Sequence, residues 1–199
     1  KAMGRISLNP IVHIDLIMTI VLPLMCYYFS NGTFIFGGAK PVPINSSNFR
    51  KPRQGMMWTG IAGPLANVAQ ALALAVALFL ALLIRHLVMP NATGTSVAEL
   101  ALVNGIFINL VQACFNMVPI PPLDGSRLLA YLVPPEIAQR MDAMEPFGIM
   151  IVILVLNFPG LGLPDVLGIF IEGASRGTHA LLYVVGTLLA VLGVGGGGA

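Results

Sequence analysis

The chain has 199 residues, 57% of them hydrophobic and only 9% charged, with a mean hydropathy of +0.89 and a formal net charge of +2. A soluble domain carries about 25% charged residues, so the water-facing surface of a globule this size is missing. Ordinary cytosolic enzymes, nucleic-acid binders and disordered tails are thereby excluded. The composition implies an all-α integral membrane protein, one domain over residues 1–199, in contact with the lipid bilayer and with no nucleic-acid partner.

The first apolar segment, Ile11 to Phe29, is interrupted by Pro23 and closed by the turn signal Ser30-Asn31-Gly32. Thr33-Phe34-Ile35-Phe36 reads as a short β-rich stretch, and Pro41 and Pro43 impose extended chain after it. Two charge-free runs follow, Gly55 to Ile84 and Leu100 to Val118. Both satisfy the roughly 20 apolar residues that a transmembrane helix needs. Phe147 to Phe158 is short and is broken by Asn157, Pro159, Gly160 and Pro164. Leu163 to Ile171 and Ala180 to Val194 complete one or two further spans, and Gly195 to Gly198 form a flexible tail. Cys26 and Cys114 lie in apolar runs without ligand spacing and read as small buried hydrophobes. The chain opens on Lys1 with no charged n-region or cleavage site before the first apolar run, which reads as a fragment of a longer sequence.

Charge placement selects the topology of the first segment. If that segment crosses once, Lys1, Arg5 and Arg85 face Lys40, Arg50, Lys51, Arg53, Arg127 and Arg140 across the membrane, a split of six to three. If it dips in and returns as an extended strand, only Arg85 stays outside and the split becomes eight to one. The re-entrant layout is expected, and with it a hydrated site, because non-helical backbone at membrane depth needs protein or water around it.

The run Asn116-Met117-Val118-Pro119-Ile120-Pro121-Pro122-Leu123-Asp124-Gly125 concentrates the candidate chemistry. Pro119, Pro121 and Pro122 end a transmembrane helix, and Asp124 then presents a carboxylate at the membrane boundary. Asp124 either carries function or caps a helix starting near Gly125. Asn116 and Asn67 are polar groups in apolar helices, suited to interhelical hydrogen bonds or to orienting substrate. Asn116 leans to substrate or oxyanion binding. Asn67, near Gly60, Gly63 and Pro64, leans to close helix packing. His13, two residues before Asp15, fits either a polar contact at the membrane edge or substrate binding. His86 reads as interfacial, and His179 lies in a Gly/Ser/Arg-containing linker. Lys40 either anchors to headgroups or guides a substrate strand along the extended edge beside it. Arg50-Lys51-Pro52-Arg53 marks the cytoplasmic interface, and Trp58 fits an aromatic belt.

Pro119 to Gly125, with Asn116 upstream, resembles the third element of the site-2 protease family of intramembrane zinc metalloproteases. Ala62-Gly63-Pro64-Leu65-Ala66-Asn67 is similar to the family's Gly-Pro-rich helix. Phe36 to Pro43 and Asn9 to Asp15 resemble elements of a bacterial and archaeal branch, so the likeness covers roughly residues 4–127, with 128–199 supplying C-terminal membrane segments. The resemblance implies that Asp124 is the third ligand of a catalytic Zn²⁺, with Gly63, Pro64, Asn67, Pro119, Pro121, Pro122 and Gly125 shaping its surroundings. It also implies a multi-pass protein of a prokaryotic cell membrane whose substrate is a membrane protein or peptide. The H-E-x-x-H helix that supplies two histidines and the general-base glutamate does not occur in these residues. In the family it lies shortly before the segment corresponding to Gly4-Arg5-Ile6-Ser7, hence before Lys1, and the chain alone is not expected to cut peptide bonds. A transporter component and a non-catalytic membrane scaffold are the alternatives.

Overall fold

The computed structural model describes residues 14–29, 32, 44–157 and 166–194, and the chain divides into two compact units, Lys1–Asn45 and Ser46–Ala199. In the first unit a π-helical turn, Leu16–Val21, runs directly into helix α1, Leu22–Phe29. Asp15 opens it, accepting from the Ile17 amide at 3.0 Å while its own amide donates to Thr19 Oγ1 at 3.0 Å. Pro23 therefore does not interrupt the segment. It sits in the first turn of α1, where a missing amide proton is tolerated, and the backbone widens just before it. Gly32, at φ 80°, donates its amide to the Tyr27 carbonyl at 2.8 Å, which bears out the turn after α1. The extended stretches at Thr33–Phe36 and Pro41–Pro43, and with them the re-entrant element, lie outside the described residues, as do His13 and Lys40.

Every described secondary-structure element of the second unit is a helix. After a short 3₁₀ turn, Ser46–Asn48, come α2 (Pro52–Val88), α3 (Val97–Asn116), α4 (Asp124–Leu132), α5 (Pro135–Asn157) and α6 (Val166–Val191). Pro52 starts α2 where proline is best accommodated, at its first position. The α2–α3 connection is fixed by charge. Arg85 donates to the Gly94 carbonyl at 2.6 Å and to Glu99 at 2.9 Å, and Glu99 is 4% exposed. Ser96 and Glu99 also form a reciprocal capping box that satisfies the first amides of α3. The core lies between α2, α3 and α6, around Ala71, Ala75, Leu78, Ile106, Val185 and Leu189.

Helices α2 and α3 are long and apolar enough to cross a membrane. In each, only 17% of the most apolar 18 residues is buried, unlike a core helix of a soluble protein. Leu65, Val68, Leu72, Val76, Leu80, Ile84 and Leu87 form an apolar stripe along α2, every member at least 38% exposed. Their spacing of three and four keeps them on one helix face, and at 1.5 Å per residue the stripe is about 33 Å long.

One expectation for the C-terminal third fails: residues 147–157 are not a short piece but the end of a 23-residue helix that starts at Pro135. Of the one or two elements expected beyond it, a single helix forms, α6, which runs unbroken through Glu172 and Arg176, an exposed i,i+4 pair at 2.6 Å. His179 consequently stands on a helix and is exposed, not in a linker. Cys114 is half-buried, not buried.

Candidate functional site

Helix α4 is amphipathic and short, and it lies antiparallel to the first turns of α2. Its N-terminus rests where α2 has no side chains. A β-carbon at Gly60 would lie 2.7 Å from the Asp124 carbonyl oxygen and 2.9 Å from the Arg127 β-carbon. One at Gly63 would lie 2.6 Å from Asp124 Oδ2. Gly60 and Gly63, three residues apart on one face, thus form the floor on which Asp124 is set. Buried Pro64 continues this face, while Asn67 is half-buried a turn further on. The other end of α4 is tied to α2 by Arg53, whose Nη2 donates to the carbonyls of Ala130, Tyr131 and Val133 at 2.9, 3.0 and 2.6 Å. These are the carbonyls a helix leaves without partners at its C-terminus, and a cation there also complements the helix dipole.

Between α3 and α4 the prolines make a compact turn. Val118 donates to Phe115 at 3.1 Å and Leu123 to Ile120 at 2.9 Å, and Pro121–Pro122 is cis. Gly125 is buried, and a β-carbon on it would run into the Met117 carbonyl. Gly148 of α5 approaches the Pro121 carbonyl in the same way. Asn116, the last residue of α3, is half-buried at the entrance to this turn.

The capping alternative for Asp124 is not what forms. Leu123 is the N-cap of α4, Asp124 is the first helical residue, and no side chain caps this terminus. Ser126 instead turns its hydroxyl back onto the Leu123 carbonyl at 2.7 Å. The Asp124 carboxylate is left for other work. Burial pushes its pKa above the ordinary 3.8, and the Arg127 guanidinium, 3.7 Å away, pulls in the opposite direction without overcoming it. Arg127 and Arg53 are the site residues that the sequence reading missed. Arg127 had a signal, its i,i+3 spacing from Asp124. Arg53 had none, being 77 to 80 residues from its acceptors.

No group of three or more His, Cys, Asp or Glu side chains that could hold a metal occurs among the described residues. Asp124 is a hard anionic oxygen donor that suits zinc, but alone it does not make a zinc site, for which three protein ligands are usual. Beside it, α2, α4 and α5 line a half-open cavity of about 300 Å³ whose wall includes Arg53, Met56, Arg127, Tyr131, Ala138 and Asp142.

The chain is thus a helical protein with two helices long and apolar enough to cross a membrane, one of which sets a half-buried carboxylate on a glycine face. Comparison with known proteins carries this further. The chain is 38% identical over 165 residues, 81% of its length and 68% of the relative's, to the Bacillus subtilis (strain 168) protein named "Putative zinc metalloprotease YwhC". It belongs to the family of that protein. No protein-family profile matches the chain, and no solved structure does.

Proposed function

We propose that the chain is the Asp124-bearing part of an intramembrane zinc metalloprotease of the site-2 type, acting on membrane proteins or peptides in a prokaryotic cell membrane. The observation that carries this reading is the seat of Asp124. Its carboxylate is half-buried, spared from capping, and level with Gly60 and Gly63, just ahead of the stripe that begins at Leu65. The stripe's length of about 33 Å matches the roughly 30 Å hydrocarbon layer. With the stripe in lipid, Asp124 stands at the boundary where water for hydrolysis is at hand. The name of the Bacillus relative favours proteolysis over a transporter component or a scaffold.

Bound zinc supplies polarisation of the scissile carbonyl and a water acidic enough to attack near neutral pH. This chain's residues supply the setting. Asp124 offers an anionic oxygen, Gly60 and Gly63 fix its approach, Arg53 holds its helix, and Arg127 offsets its charge. Asn116, His13 and Lys40 are candidates for contacting substrate. The other two ligands and the base belong to residues outside those described. The test uses the protein expressed from its whole gene. Metal analysis should find about one zinc per chain, lost in Asp124→Ala together with cleavage of a membrane-protein substrate. Zinc content unchanged in Asp124→Ala refutes the reading.

A further inference from the structure

The cavity between α2, α4 and α5 is lined by two guanidiniums that the chemistry above uses only to hold α4 and to offset the charge of Asp124, and most of their donors make no hydrogen bond among the described residues. Arg53 commits only Nη2 to the carbonyls of α4, and its Nη1 and Nε make no hydrogen bond among the described residues. Among the described residues Arg127 makes only its ion pair at 3.7 Å, beyond hydrogen-bond reach, and its side chain is 30% exposed. Two guanidiniums lining one cleft, each with unused donors, suit an oxyanion with several oxygens, above all phosphate. Asp142 on the same wall is an acceptor for a hydroxyl or amine carried by the same ligand. Met56, Ala138 and the Tyr131 ring give the rest an apolar lining, so the ligand is amphipathic and not a bare ion. A volume of about 300 Å³ is at the lower end for small-molecule sites, enough for a headgroup and its glycerol but not for whole acyl chains.

The inner end of the cleft lies near the membrane boundary. Arg127 packs at the level of Gly60, about 7.5 Å along α2 before Leu65, while Met56 and Arg53 line the outer end about 13 and 18 Å before it. The headgroup layer outside the hydrocarbon is about 5 to 8 Å thick on each side. Trp58, 56% exposed, stands at this level too, as membrane-interface tryptophans do. We propose that this cavity is a binding site for the phosphate-bearing headgroup of an anionic membrane lipid, held by Arg127 and Arg53 with Asp142 accepting from the headgroup's hydroxyl. The assignment rests on the membrane placement of α2 but not on proteolysis.

The test is a binding titration of the protein expressed from its whole gene, in a maltoside detergent free of phosphate. The probes are dihexanoylphosphatidylglycerol, dihexanoylglycerol and inorganic phosphate. The phosphatidylglycerol should saturate, and Arg127→Gln should weaken it at least about tenfold, as loss of a charge-assisted hydrogen bond does. Ala138→Trp, which fills the cavity and leaves both guanidiniums, should weaken it comparably. It keeps the test decisive if Arg127→Gln melts early. Dihexanoylglycerol should not bind. Equal affinity in wild type and Ala138→Trp overturns the site, and so does equal binding of dihexanoylglycerol. Inorganic phosphate binding as tightly as the lipid overturns the lipid assignment in favour of a free-anion site. Zinc content measured on the same preparations keeps a failure here separate from a failure of the protease reading.

Discussion

Gly63→Ala puts the proposed metal ligand under direct test. The added β-carbon would stand 2.6 Å from Asp124 Oδ2, where ordinary contact begins at 3.4 Å, so the carboxylate must retreat by about 0.8 Å. Metal–ligand distances hold to within about 0.2 Å, and the displacement is several times that. The colliding atom is the end of a side chain that can swing, at about 0.5–1.5 kcal/mol for an off-rotamer angle. Replacing glycine by alanine inside a helix returns about 0.8–1.0 kcal/mol. Folding stability should therefore barely change, leaving Tm within a few degrees of wild type. Zinc affinity, measured by chelator competition on the protein from its whole gene, should fall by about 10–100-fold, the range seen when a ligand's support is disturbed. Wild-type zinc affinity in Gly63→Ala would refute the idea that this glycine sets the ligand. Gly60→Ala is the contrast, because its β-carbon meets the Asp124 backbone and must displace α4 itself.

Arg53→Ala removes the donor to three terminal carbonyls of α4 and should cost about 1.5–3 kcal/mol in denaturant unfolding, with Arg53→Lys losing less. Arg85→Leu strands the buried Glu99 carboxylate and should cost about 3 kcal/mol, most of it regained in the Arg85→Leu/Glu99→Leu pair, which a double-mutant cycle will measure. The pKa of Asp124 is raised in the folded state, so the metal-free protein binds this proton more tightly folded than unfolded. Its stabilising share is full below the ordinary 3.8 and is lost as pH rises through the higher folded value. Urea melts over that window should show stability falling with pH in wild type and a flatter profile, with greater neutral-pH stability, in Asp124→Asn.

The sequence made α2 and α3 legible because long charge-free runs bounded by Arg53, Arg85, Glu99 and Asp124 leave few other readings. Those runs match helices at Pro52–Val88 and Val97–Asn116. The C-terminal third was less legible. Asn157, Pro159, Gly160 and Pro164 mark an end, whereas nothing in the sequence marks Gly148, whose missing side chain lets α5 approach the Pro121 carbonyl. Glu172 and Arg176 look like a boundary between spans, but they pair with each other on the exposed side of one helix. Asp124 stood out by its proline-rich surroundings. Its glycine floor and the Arg53 tether did not, because both are contacts between α2 and a helix more than sixty residues later.

Helix α4 is about 13 Å long, and the distance along α2 from Arg53 to the Gly60–Gly63 face is nearly the same. The two helices therefore act as matched lengths joined at both ends, and the phase of α2 is as constrained as its composition. One residue inserted between Arg53 and Gly60 would rotate the glycine face by about 100° relative to Arg53. α4 could then keep its tether or its seat, but not both. The carboxylate's position along α2 is accordingly dictated by the winding of a single helix, while the proline turn only delivers the chain to it.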